Sequence, residues 1–111
     1  MDTAHVTYLG DLRTEATHVR SGRTILTDAP PDNQGRGEAF SPSDLLATSL
    51  ASCMMTIMGI AARDKGITLN GLKARVVKHM TPAPRRVERI EVYIEMDGAS
   101  LGEREKAILE H

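Results

Sequence analysis

Residues 3–9 and 14–19 alternate weakly between apolar and polar side chains, with Gly10-Asp11 between the two runs. A period of two interrupted by a turn pair predicts a β-hairpin. Ser21-Gly22 marks a second turn, and residues 23–27 read as a third strand. The following stretch, TDAPPDNQGRGEAF, is dense in Pro, Gly, Asp and Asn and reads as a loop. It is too short and varied for an interdomain linker, and ordered loops of this length are often functional.

The pattern then changes period. Ser41 suits a helix N-cap, Pro42 the first helical position, and Asp44 the closing member of a capping box. Gly66 is a natural left-handed terminator, with Arg63 and Lys65 in the last turn where they suit the helix dipole. A helix over 41–65 is therefore predicted. Leu45, Leu46, Leu50, Met54, Met55, Ile57, Met58 and Ile60 surround it, and a helix apolar on all sides is buried on all sides. One small sheet covers one side only, so a second subunit is expected to cover the other. Residues 45–62 carry no charge and just reach the length of a membrane span. Thr48, Ser49, Ser52, Thr56 and Gly59 dilute that stretch, and the strands around it would have nothing to pack on. A buried central helix is the better account, and no membrane partner is expected.

After Gly71, residues 72–79 and 87–96 predict an antiparallel pair of strands around TPAPR. Ile90, Val92, Ile94 and Met96 share one face of the second strand, and Glu91, Tyr93 and Glu95 share the other. The final SLGEREKAILEH predicts a helix capped by Ser100 that is cut short barely past its second turn.

Composition narrows the class. A chain of 111 residues is read as one domain, 1–111. With no Trp, one Phe and two Tyr, the core must be aliphatic and Met-rich. The net charge of −1, with both signs interspersed, offers no basic stripe for nucleic acid. No basic segment followed by an apolar one opens the chain, so no signal peptide is expected. A single cysteine cannot close an intramolecular disulfide, which fits a reducing cytoplasm. His5, His18, His79 and His111 show no metal-ligand spacing, and GRGEAF lacks the Lys-Ser/Thr end of a phosphate loop. Neither a metal nor a cofactor is expected.

The candidate chemistry rests on Cys53. On the plain reading it is a small hydrophobe in a core helix. On the sharper one it is a nucleophile, but it lies about three turns into the helix, beyond the reach of the N-terminal dipole. A reactive thiolate there needs a cation from elsewhere in the fold. Arg20 and Arg23 in RSGR and Arg36 in GRGE are the candidates, and each also reads as a solvated loop charge. Met54, Met55 and Met58 are core packing on one view and the lining of an apolar cleft on the other.

RTILTDAPPDNQGRGEAFSPSDLLATSLASCMMTIMGIAARDKGITLNGL resembles the OsmC/Ohr family of small thiol-dependent hydroperoxide reductases. The match runs from Arg20 to about Tyr93 and is strongest at SPSDLLATSLASC, where a Ser-Pro-x-acidic-Leu-Leu helix start precedes the cysteine. The general OsmC-like branch with the TDAPPDN loop is the most similar. The resemblance implies a two-layer α+β fold with an antiparallel sheet, a long buried central helix, and two chains intertwined as a homodimer. It also implies that Cys53 is a peroxidatic cysteine, that Arg20 holds its thiolate with Arg23 as second choice, and that Ser43 and Asp44 occupy supporting positions. Two departures stand out. The family's peroxidases place a glutamate directly after the helix-opening proline, where this chain has Ser43 and only then Asp44. The family's second cysteine, in a Cys-Pro-Val motif, falls beyond His111, so resolution by an external thiol or dithiol is expected. The function implied is reduction of an organic hydroperoxide. The alternative is a non-catalytic relative that binds a small apolar ligand in the dimer cleft.

Overall fold

The computed structural model describes residues 1–82, 85–96, 99–100 and 106–110, the last two stretches as backbone. The chain divides into two compact units, Met1–Leu45 and Leu46–His111.

The first unit is a three-stranded antiparallel sheet, β1 (Ala4–Gly10), β2 (Arg13–His18) and β3 (Thr24–Asp28), in the order β1-β2-β3. The two predicted turns join them. Asp11 and Leu12 both have positive φ, 53° and 63°, in the connection that pairs Gly10 with Arg13. Two consecutive left-handed residues give the turn a twist that matches the flanking strands. The second turn carries Arg20. His18 N–H donates to the Arg23 carbonyl at 2.8 Å, Gly22 N–H donates to the His18 carbonyl at 2.8 Å, and the His18 ring closes on Ser21 Oγ at 2.6 Å.

The loop after β3 is ordered by its own backbone. It holds a short 3-10 turn, Pro31–Asn33, after which Gln34 turns left-handed at φ 72°. The Pro30 carbonyl accepts from Asn33 and Gly35, and the Ala29 carbonyl accepts from Gly37. A Cβ at Gly35 would fall 1.7 Å from the Ala29 carbonyl oxygen, so only glycine permits this fold of the loop.

Helix α1 (Pro42–Asp64) starts as its capping box requires. Ser41 N–H donates to Asp44 Oδ2 at 3.0 Å, and Asp44 N–H donates back to Ser41 Oγ at 3.1 Å. At the other end Gly66 adopts φ 68°, and Ile67 N–H reaches the Ala62 carbonyl at 2.8 Å. This is the left-handed closure that satisfies the last helical carbonyls.

In the second unit, β4 (Lys73–Pro82) and β5 (Arg85–Met96) pair antiparallel, as their alternation predicts. Ile90, Val92 and Ile94 of β5 pack with Ala47 and Ala51 of α1, and Leu50, Met54, Met58, Ala74, Val76 and Val87 border that cluster. The core is aliphatic, and the lone Phe40 stays half exposed. Small alanines on the buried side of α1 allow the helix backbone to approach the sheet. Elsewhere on the helix Leu46, Ile57 and Ile60 are exposed. The expectation of a helix buried all round is thus met on one face.

The C-terminal helix is a correction. Its described parts are strands, β6 (Ala99–Ser100) and β7 (Lys106–Glu110), both paired antiparallel with β5. Ser100, expected as a helix cap, lies opposite Glu95 in the ladder. A short polar segment makes a marginal helix in isolation, whereas the long β5 presents a row of backbone groups that pairing satisfies. The remainder of that prediction, residues 101–105 and His111, and the centre of the TPAPR turn lie outside the described residues.

Candidate functional site

Cys53 lies in the middle of α1, and its side chain is exposed. The apolar run around it belongs to a helix long and apolar enough to cross a membrane by length and composition. Of the three methionines expected to line a cleft, Met55 does so, while Met54 and Met58 lean on the core cluster. The cleft is a groove of about 380 Å³ between α1 and β4, lined by Thr48, Ala51, Ser52, Met55, Thr56, Ala74 and Val76. Ser52 lines it and Cys53 does not, because each helical step rotates a side chain by about 100°. Thr48, Ser52 and Thr56 repeat every four residues, so a stripe of hydroxyls runs along an otherwise apolar groove. Thr56 Oγ1 donates back to the Ser52 carbonyl at 2.8 Å.

In the first unit, Arg20 and Arg23 are both exposed, and neither guanidinium has an ion pair or hydrogen bond among the described residues. Arg36 lies 3.8 Å from Glu38 and is already matched by a carboxylate. Ser43 Oγ is 3.2 Å from Ser41 Oγ, and the Asp44 carboxylate accepts the Ser41 N–H. Both supporting positions are therefore engaged in starting α1. That is the structural role expected of Asp44 from the capping box.

Two polar clusters escaped the sequence reading. In the first unit, Arg13 Nη2 reaches Asp28 Oδ2 at 3.4 Å and also hydrogen-bonds Glu38. Glu38 N–H donates to the same Asp28 oxygen at 3.1 Å, and Asp28 N–H donates to the Phe40 carbonyl at 3.1 Å. Asp28 is 1% exposed, and its Oδ1 has no hydrogen-bond partner among the described residues. This network fastens the end of β3 to the residues that precede the Ser41 cap. Its one sequence signal is the strand register, which sets Arg13 opposite Asp28.

The second cluster lies on the face of β4 and β5 away from α1. Glu91 Oε1 is 2.6 Å from His79 Nε2 and 3.2 Å from Arg89 Nη2, and Tyr93 OH donates to Glu91 Oε2. The Tyr93 hydroxyl and then His79 hold the Glu91 carboxyl below its ordinary value of 4.5, helped by the Arg89 charge and opposed by burial. The Arg75 guanidinium stacks over the Tyr93 ring, 4.4 Å from its centre. The expected Glu91/Tyr93 face is thus present, and His79, which showed no metal spacing, serves there as a hydrogen-bond donor. No group of three or more metal-ligating side chains occurs among the described residues.

The family model for OsmC-like proteins matches residues 35–111. This chain belongs to the OsmC-like family. It is also similar, at 56% identity and a TM-score of 0.84, to a crystal structure from Psychrobacter arcticus 273-4. That structure is described as an osmotic stress induced and detoxification response protein; the alignment covers 94% of this chain and 75% of the other. No curated protein matches the chain. The mixed α+β fold, with antiparallel sheets and one α-helix among the described residues, matches that of the OsmC-like neighbour.

Proposed function

We propose that this OsmC-like chain acts in stress response and detoxification by reducing organic hydroperoxides at Cys53. One observation carries the reading: the only thiol of an OsmC-like chain is solvent-accessible in the middle of an apolar helix. Within one copy of the chain the thiol fills no core position, so packing of that copy does not account for it. Its sulfur attacks the distal peroxide oxygen as a thiolate. An S–O bond forms, the O–O bond breaks, and the alkoxide leaves as an alcohol after taking a proton. Cys53 is then a sulfenic acid. A small external dithiol attacks that sulfur and releases water; its second thiol displaces Cys53 from the mixed disulfide and regenerates the thiol. Arg20 is the proposed partner of the thiolate, supported by its place in RSGR and by its lack of any other anionic partner among the described residues. The proposed working form is a cytoplasmic homodimer in which a second copy covers the exposed side of α1.

The test is mass spectrometry after one equivalent of cumene hydroperoxide, with a thiol titration of the parent and Arg20→Ala. The expected results are a sulfenic acid or its thiol adduct on Cys53, and a higher thiol pKa in the variant. An unmodified Cys53, under conditions that oxidise free cysteine, overturns the catalytic reading; an unmoved pKa overturns the role of Arg20 alone.

The groove between α1 and β4 favours a second reading, that of a binder of small apolar ligands. Its walls are alanine, valine and methionine, and Cys53 is absent from its lining. Ser43, in place of the family's glutamate, points the same way. Retained binding of an apolar ligand by a Cys53→Ser variant, with no peroxide consumption by the parent, would establish it.

A further inference from the structure

Among the described residues, strand β4 is held by strand pairing on one side only. In the order β4-β5-β6 its single ladder runs to β5. It is also a wall of the groove, through Ala74 and Val76. On the opposite face of the same two strands three polar side chains, from His79, Arg89 and Tyr93, converge on the Glu91 carboxylate. We propose that His79, Arg89, Glu91 and Tyr93 form an acid-releasable clasp that locks β4, and with it the groove wall, onto β5.

The sequence builds the clasp through a bulge. His79 pairs with Arg89 but Met80 pairs with Val87, so Glu88 is the extra residue. The bulge keeps Val87 beside the core while turning Arg89 to the polar face, the re-aiming for which bulges are retained. His79 Nε2 then lies 2.6 Å from Glu91 Oε1 and 3.3 Å from Arg89 Nη2. An arginine only donates and a carboxylate only accepts, so the His79 ring proton points to Glu91 and both neighbours donate to the same carboxylate. Tyr93 adds a third donor.

Protonating Glu91 turns its acceptor into a donor among donors. Arg89 suffers most: its Nε is already buried without an acceptor among the described residues, and it would lose its carboxylate as well. The other charged groups on this face are Lys73, Arg75, Glu95 and, beyond the bulge, Arg86 along β4 and β5, with Glu88 in the bulge itself. From β7, Lys106 and Glu110 occupy the register positions opposite Tyr93 and Arg89, and Ile108 the position opposite Glu91. None of the described groups among these replaces Glu91 as the acceptor for His79. The sign follows from the depressed carboxyl: the clasp is closed above the ordinary glutamate value of 4.5 and opens as pH falls through the lower folded value.

The test follows amide exchange along β4, and thermal unfolding, of the whole chain from neutral pH down to about pH 3. The parent should lose β4 protection in a step below the ordinary glutamate range. Glu91→Gln should start with weaker protection and show no such step, while Glu95→Gln on the same face should keep it. If Glu91→Gln does not fold, Tyr93→Phe removes one donor and should move the step to higher pH. A step of equal size and midpoint in Glu91→Gln, or one unmoved in Tyr93→Phe, overturns the clasp.

Discussion

Leu12 shows how a single residue can be kept in an unfavourable backbone. It adopts φ 63° in the β1–β2 turn, where a Cβ crowds the carbonyl oxygen. The side chain is 44% exposed, so little packing compensates. Two contacts hold the turn instead: Leu12 N–H donates to the Tyr8 hydroxyl at 3.2 Å, and Ala29 N–H donates to the Leu12 carbonyl at 3.2 Å. Leu12→Gly creates the Asp-Gly pair that this turn favours and should stabilise the chain by about 1 kcal/mol, read from urea unfolding midpoints. A lower midpoint would show that the exposed leucine packs in solution. Arg20 is the opposite case. Its turn is well fastened by His18, Ser21 and Arg23, yet its guanidinium has no hydrogen bond or ion pair among the described residues.

Among the elements, α1 and the β4–β5 pair decide most. The helix meets the sheet through Ala47 and Ala51, 2% and 4% exposed, against Ile90, Val92 and Ile94. Close packing of this kind tolerates no added volume, so Ala51→Leu should destabilise by roughly 1–3 kcal/mol in chemical denaturation. A neutral result would mean that α1 can lift from the sheet without loss. Exposed Ile57 offers the internal control, since Ile57→Leu leaves this contact unchanged. Element boundaries were largely legible because caps are local: Ser41, Asp44 and Gly66 each act within a few residues of themselves. The bulge at Glu88 also had a local signal, the three-residue step from Val87 to Ile90 inside a period of two. The C-terminal strands had no comparable signal, since their pairing depends on β5, a partner distant in sequence.

For the molecule as a whole, the open question of α1 becomes an association question. Its uncovered side presents Leu46, Ile57 and Ile60, and large apolar patches on soluble monomers are uncommon. With a net charge of −1, self-repulsion offers little resistance to association. The expected outcome of sedimentation equilibrium at micromolar concentration is a homodimer. Ile57→Glu should shift it toward monomer, because a charge on that face resists burial. A parent that is a stable folded monomer under those conditions overturns the proposed assembly.

What the residues settle by themselves is whatever they enforce over short distances. Alternation set the strands, the capping box and Gly66 set the helix, and SPSDLLATSLASC pointed to the family. The near absence of aromatics made the core aliphatic before any packing was known. Tertiary structure alone decided that Arg13, Asp28 and Glu38 meet before the helix, and that His79, Arg89 and Tyr93 surround Glu91. It alone also decided that Met55 faces the groove while Met54 and Met58 lean on the core, and that the chain's end pairs with β5. These outcomes depend on register and on helix rotation, where one residue's slip turns a side chain to the other face or by about 100°. Periodicity records which faces exist, but only contact between distant segments selects which side chains meet across them.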